Sequence, residues 1–282
     1  MKTFQYHVPN SLEEACQLVF EFGSRGKLLA GGTDLLVKMK QKVLEPEHLI
    51  SIGGIKGLKY IQDDKSAIRI GALTELQEIA DSGIIRQKAS ILADAASKVG
   101  SLQIRNRGTL GGNICNASPA ADTVPSLLCL DAKVVVRGKS GNREIPLEKF
   151  FLGPGKVDLQ PGEIVAEIVV PEPPSGTKGV YLKLGRRKGM DLSVVGVASL
   201  GRFRGDRFEM IRISLASVAP TSIRTTRAEH ILMDGPVDPH RIVLGASEAA
   251  SECQPISDVR GSEKYRKEMV RVLVEKAIRS VM

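Results

Sequence analysis

The chain has no tryptophan and only four cysteines in 282 residues, and no two of those cysteines form a Cys-x-x-Cys pair. That spacing argues against a zinc site or an iron–sulfur cluster held by this chain alone. The histidines, at positions 7, 48, 230 and 240, show no metal-ligand spacing, and no catalytic triad stands out. Redox chemistry here would need an organic cofactor. No run approaches the ~20 apolar residues that span a bilayer. A Gly-x-Gly-x-x-Gly spacing is missing after every predicted strand, which argues against a Rossmann site for NAD. The formal charge of +8 is dispersed in short groups, such as Lys38 to Lys42 and Arg186 to Lys188, without interleaved aromatics. We therefore expect no nucleic-acid partner, and read the charge as a solvated basic surface or one facing acidic partner subunits. The first residues lack the apolar core of a signal peptide, so a cytoplasmic location is expected.

Two double-glycine loops dominate what is present. They are Ala30-Gly31-Gly32-Thr33-Asp34 and Thr109-Leu110-Gly111-Gly112-Asn113, each between an apolar run and a polar residue. Paired glycines let backbone N–H groups approach an anion closely and adopt φ > 0. Two such loops converging in space would grip both phosphates of a dinucleotide. A single Gly-Gly is more often a plain turn; Gly53-Gly54 is read as one.

The rest of the pattern is α+β in two parts. Ser11 and Glu14 predict a capping box opening a helix that ends near Gly23, and Thr74 and Gln77 predict a second, ending at Gly83. Strands are expected at 27–30, 49–52, 58–62, 67–70 and 133–136, a longer helix over 85–99, and a buried helix over 124–130. The linker-like Pro171-Glu172-Pro173-Pro174-Ser175-Gly176 places a domain boundary, giving domains 1–174 and 175–282. Beyond it, 180–184, 194–203 and 208–218 predict a small antiparallel sheet. A helix capped by Asp238 with Pro239 at its first position follows. A last helix from Ser262 is predicted to turn Tyr265, Met269, Val272, Leu273, Ala277 and Val281 along one face.

The run Ile104 to Asn113, the stretch Ala117-Ser118-Pro119-Ala120-Ala121-Asp122, the opening Phe4 to Ala15 and the segment Phe150 to Gly155 together resemble the FAD-binding subunit of the molybdenum hydroxylases, the xanthine dehydrogenase and carbon monoxide dehydrogenase family. The resemblance covers nearly the whole chain. It implies a vanillyl-alcohol-oxidase (PCMH) type FAD-binding domain of two α/β subdomains, then a C-terminal domain with a small antiparallel sheet and helices. It also implies that Leu28, Leu29, Ala30, Gly31, Gly32, Thr33, Asp34 and Leu35, with Thr109, Leu110, Gly111, Gly112 and Asn113, are the two pyrophosphate segments. Ser118 and Asp122 match the family's Ser-Pro-x-x-Asp, and Val165 and Lys183 align with positions that touch FAD in eukaryotic relatives. Gly185 to Asp191 matches a loop beside the flavin ring, here carrying Arg186, Arg187 and Lys188. Read from the residues alone, Asp34 and Asp122 would also serve as helix caps, Lys183 as an exposed strand lysine, and Arg105 and Arg107 as contacts to a phosphate or a partner.

The implied function is electron transfer. A molybdenum-pterin large subunit would oxidise the substrate, and two 2Fe–2S clusters on a small subunit would feed electrons to this FAD. The flavin would then pass them to an acceptor such as NAD or quinone, within a dimer of heterotrimers. Two other readings remain: a stand-alone flavin-dependent oxidase of related fold, and a flavin-free assembly protein. The substrate is not legible, because the residues that select it would sit on another chain.

Overall fold

The computed structural model describes residues 2–139, 141–187 and 189–282. The chain opens with β1 (Gln5–His7), α1 (Leu12–Phe22), β2 (Gly26–Leu29), α2 (Leu35–Lys40) and β3 (His48–Ser51). β1 and β2 both pair in parallel with the central β3. Ser11 accepts the Glu14 N–H at 3.1 Å, and the Glu14 carboxylate reaches back to the N–H of Asn10 at 2.8 Å. The capping box thus forms one residue wider than the standard pattern. α1 ends at Gly23, as expected from the sequence.

A five-stranded antiparallel sheet follows, in the order β4 (Ile61–Asp63), β5 (Ala67–Gly71), β10 (Ile164–Pro171), β6 (Lys133–Gly138) and β7 (Gly141–Pro146). Between β5 and β6 the chain builds α3 (Leu76–Asp81), α4 (Gly83–Lys88), α5 (Ser90–Ser97), α6 (Leu102–Arg105), α7 (Leu110–Cys115) and α8 (Thr123–Cys129). These helices share one core with the sheet, in which Ile79, Leu92, Ile114 and Leu127 meet Ile70, Val134 and Ile168. After β7 come the short α9 (Leu147–Phe150) and the hairpin β8 (Phe151–Gly153) and β9 (Lys156–Val157). A smaller apolar cluster joins α1 through Ala15 and Cys16 to Ile52, Leu58, Ile164 and Ala166, and so seats the first sheet against the second.

The last part is the antiparallel sheet β11 (Lys178–Leu184), β12 (Val195–Arg204), β13 (Arg207–Ala216) and β14 (Ile223–Arg224). It is covered by α10 (Thr226–Met233), α11 (Pro239–Ser251) and α12 (Glu263–Ser280), around a core of its own. Tyr181, Ala198 and Leu200 of this sheet nevertheless reach into the core of the preceding part. Among the described residues, no helix is long and apolar enough to cross a membrane.

Three local expectations are corrected. Thr74 and Gln77 form no capping box: Thr74 Oγ1 donates to the Tyr60 carbonyl at 2.9 Å and accepts its N–H, while Gln77 bonds Asp81 and Arg105. The stretch 85–99 is not one helix, since Ala89 (φ −146°, ψ 49°) separates α4 from α5. That break turns Ile85 on one side, and Ile91 and Leu92 on the other, into the same core. On α12 the buried face is Arg266, Val270, Val274, Ala277 and Ile278, whereas Tyr265 and Val272 are 45% and 44% exposed. Periodicity of apolar residues missed this face because its first member is a buried arginine. Arg266 is held there by the carbonyls of Val194 (2.7 Å) and Ser217 (2.9 Å) and by Asp258 (2.6 Å).

Candidate functional site: a cavity between two glycine loops

β2 delivers the first glycine loop, which passes through Gly32 at φ 76° into α2. The backbone N–H groups of Gly31, Gly32, Thr33, Asp34 and Leu35 make no hydrogen bond to any described residue. Consecutive free N–H groups in such a turn form an anion-binding concavity. Asp34 stands at the N-cap of α2 but makes no side-chain capping bond. One turn into the helix, Lys38 donates to Asn116 Oδ1 at 2.6 Å, both residues lining the cavity.

The second loop is built differently. Thr109 caps α7 by accepting the Gly112 N–H at 3.1 Å, Leu110 donates to the Thr74 carbonyl at 3.0 Å, and Gly111 to the Ala72 carbonyl at 2.9 Å. Asn113 donates its N–H to the Thr109 carbonyl and accepts a hydrogen bond from Thr123 Oγ1 at 2.7 Å. The backbone donors from Leu110 to Asn113 are already engaged, so the glycines of this loop answer a packing need. A Cβ on Gly111 would lie 2.7 Å from both the Cβ and the carbonyl oxygen of Ala72. The two loops touch where Gly31 meets the backbone of Arg107 and Gly108.

Between them lies a cavity of about 500 Å³. Its wall takes in Leu28, everything from Ala30 to Leu35, Thr109, Gly111, Gly112, Asn113 and Val165. Leu29 and Leu110 are not in the wall. Leu29 packs beneath Gly32, and Leu110 is fully buried in the core. Cys115 is also in the wall, its thiol pushed up to about 12 by burial, which leaves it protonated and a poor nucleophile at neutral pH.

Val99 and Ile104 bound this cavity, and the intervening Gly100 with the adjoining Arg105 bounds a second cleft of about 710 Å³. Lys98, Arg105, Lys183, Arg186 and Arg187 line the second cleft against a single carboxylate among the described residues, Asp191, which accepts the N–H groups of Arg186 (2.7 Å) and Arg187 (3.1 Å). Lys188, the third basic residue expected in this loop, lies outside the described residues. Arg105 is held by Gln77 (2.8 Å) and the Val99 carbonyl (3.2 Å). Arg107 contributes its carbonyl to the contact with Gly31.

Ser118 and Asp122 line neither space. The Ser118 hydroxyl accepts the Ala120 N–H at 3.3 Å in a turn. Asp122 occupies the N-cap position of α8 without capping it. Its carboxylate instead accepts from Tyr181 Oη (2.7 Å), Ser193 Oγ (2.6 Å) and Lys183 Nζ (2.7 Å). Lys183 is therefore a largely buried, ion-paired lysine at the wall of the second cleft, not an exposed strand lysine. Burial, with Asp122 beside it, pushes the Tyr181 phenol far above its ordinary value. A larger cleft of about 910 Å³ lies away from both loops and takes in none of the predicted residues.

Sequence reasoning missed Lys38, Asn116, Lys98, Tyr181 and Ser193. For Lys38 a signal existed, a cation one helical turn beyond the first glycine loop. Tyr181 and Ser193 carry none, because only the folded sheet brings them to Asp122.

Residues 2–173 match the family described as the FAD binding domain in molybdopterin dehydrogenase, and residues 180–281 the CO dehydrogenase flavoprotein C-terminal domain. The chain is 36% identical to the carbon monoxide dehydrogenase medium chain of Hydrogenophaga pseudoflava, over 98% of this chain and 96% of that one. It is 34% identical to the 6-hydroxypseudooxynicotine dehydrogenase complex subunit alpha of Paenarthrobacter nicotinovorans, over 98% and 93%. Its backbone superposes with a TM-score of 0.97 on a chain of carbon monoxide dehydrogenase from Hydrogenophaga pseudoflava, solved without the Mo-pyranopterin moiety, covering 99% of this chain and 97% of that one at 36% identity.

Proposed function

Because the chain belongs to the FAD-binding medium subunits of the molybdenum hydroxylases, we propose that it is their electron relay, taking electrons from iron–sulfur clusters on a small subunit. Its fold is the PCMH-type FAD-binding domain followed by the CO dehydrogenase flavoprotein C-terminal domain. We place the division between the two at 174/175, within the linker-like segment read from the sequence.

The observation that carries the reading is the row of free N–H groups from Gly31 to Leu35, on residues that line a cavity Lys38 also borders. Those donors suit a pyrophosphate, and Lys38 adds a compensating charge. Gly111, Gly112, Thr109 and Asn113 form the opposite wall and hold it rigid. Val165 closes the apolar side of the cavity, and Asp122 holds Lys183 at the wall of the second cleft. The flavin, when bound, supplies both one- and two-electron redox chemistry; the chain binds it, orients it and limits what reaches it.

In this reading the ring end of the FAD extends across residues 99–105 to the second cleft, where the acceptor enters. Lys98, Arg105, Arg186 and Arg187 have no carboxylate within salt-bridge reach among the described residues. Such a cleft favours an anionic acceptor of the NAD type over a neutral quinone. The substrate-oxidising step belongs to a molybdenum-pterin large subunit, and two 2Fe–2S clusters on the small subunit connect the two. We place the assembly, a dimer of heterotrimers, in the cytoplasm.

The test is to purify the full chain, denature it in acid and analyse the supernatant. FAD in the supernatant is expected. FMN there, or flavin retained on the polypeptide, would overturn the reading. So would full-rate oxidation of a purine, an aldehyde or carbon monoxide by the chain without partners.

A further inference from the structure

Asp122 is 5% exposed, and it accepts from three donors on the C-terminal sheet and the strand-to-loop segment that follows β11. Tyr181 and Ser193 both donate to its Oδ1, which leaves Oδ2 to Lys183. Lys183 gives a second hydrogen bond to the Lys98 carbonyl at 2.9 Å, and Lys98 in turn donates to the Tyr181 carbonyl and lies 5.2 Å from the centre of the Tyr181 ring. The ring of contacts is closed, and only its two lysines reach the wall of the second cleft.

A lysine on a four-carbon stem ordinarily samples many positions. Here two fixed acceptors hold the ammonium, and its charge at the cleft is offset by a carboxylate whose own charge is spread over two hydroxyl donors. We propose that Tyr181 and Ser193 are positioning residues: by holding Asp122 they fix how much of the Lys183 charge reaches the cleft, and so set the reduction potential of the bound flavin. This rests on the flavin reading above. A positive potential at the cleft favours the reduced, more negative flavin, and a more negative Asp122 opposes it. Removing either hydroxyl leaves Asp122 less neutralised and draws Lys183 toward it, which lowers the flavin potential. Removing the carboxylate charge does the reverse.

The experiment is a spectroelectrochemical titration of the full chain loaded with FAD, comparing the parent with Tyr181→Phe, Ser193→Ala, Ser193→Thr and Asp122→Asn. Tyr181→Phe and Ser193→Ala are expected to lower the reduced-to-oxidised ratio at a fixed potential several-fold. A tenfold change would be about 30 mV for a two-electron couple. Asp122→Asn is expected to raise the ratio, and Ser193→Thr, which keeps the hydroxyl, to match the parent. Loss of stability alone would not produce opposite signs. Variants that bind FAD with the parent's potential would overturn the inference and leave the flavin reading standing. A parent chain that binds no FAD would overturn both.

Discussion

The α-carbon of Gly31 lies against the carbonyl of Arg107, so that a Cβ at position 31 would sit 1.8 Å from that oxygen. The obstacle is backbone, which cannot rotate aside as a side chain can. The two glycine loops are therefore locked together through a contact that only glycine permits. Gly31→Ala is expected to force them apart, to cost about 1–3 kcal/mol of stability and to weaken FAD binding at least tenfold. Chemical denaturation and a fluorescence titration with FAD would read the two effects. A Gly31→Ala chain with the parent's flavin affinity would show that the cavity does not depend on this contact.

Gly32 and Gly111 are expected to fail in different ways. Gly32 is at φ 76°, a conformation that costs an ordinary L-residue ~1–2 kcal/mol and that asparagine enters more readily. The neighbours its Cβ would meet are flexible leucine ends, at 3.0 Å. Gly32→Ala should therefore lower flavin affinity by distorting the row of free N–H groups, and Gly32→Asn should recover part of it. Gly111→Ala meets the backbone and Cβ of Ala72, so its loss should appear in the melting of the flavin-free chain. Equal melting of the parent and Gly111→Ala apoproteins would refute this division.

These differences mark where the sequence was readable and where it was not. The glycine loops, the α1 cap at Ser11, the buried helix over 124–130 and the C-terminal sheet depend on local composition, and the structure has them. Which loop offers its N–H groups and which spends them internally depends on Ala72 and Thr74, residues some 35 positions upstream of α7. Read from the residues alone Asp122 would serve as a cap, as a carboxylate before a helix usually does, while the family resemblance made it an FAD ligand. Its partners Tyr181, Lys183 and Ser193 lie in another part of the chain, and no local pattern announces them. The face of α12 was displaced for a similar reason, since a buried Arg266 is invisible to a hydrophobic count.

Stability should decline on the alkaline side. The thiols of Cys115, Cys129 and Cys253 are all pushed by burial from the ordinary 9.0 up to about 12. In the unfolded chain they lose their protons near the ordinary value, whereas in the folded chain they keep them. The contribution is thus fully present below pH 9 and is lost as pH rises toward 12. One such thiol changes stability by up to about 1.4 kcal/mol per pH unit in that window. Tyr60 and Tyr181, also raised by burial, act in the same direction at still higher pH. Denaturation curves should therefore change little between pH 8 and 9 and shift steadily downward between pH 9 and 11, and Cys129→Ala should flatten that slope. A slope unchanged in Cys129→Ala would remove that thiol from the account.

With the second cleft proposed as the acceptor's entry, its basic lining makes the charge of the electron acceptor decisive. Arg186 and Arg187 are anchored through their backbone to Asp191, and their guanidinium groups have no carboxylate partner among the described residues. Fields of this kind change association rates by roughly 10- to 1,000-fold and are screened over about 10 Å at 0.1 M salt. The FAD-loaded chain, reduced with dithionite, can be mixed rapidly with two outer-sphere oxidants of opposite charge, ferricyanide and hexaammineruthenium(III). Ferricyanide should reoxidise the flavin with a rate that falls as salt rises, and the ruthenium complex with one that rises. Replacing both arginines with glutamate should slow ferricyanide about tenfold and accelerate the ruthenium complex, leaving flavin content unchanged. Rates indifferent to acceptor charge, to salt and to the double substitution would mean that electrons leave the flavin by a route other than this cleft.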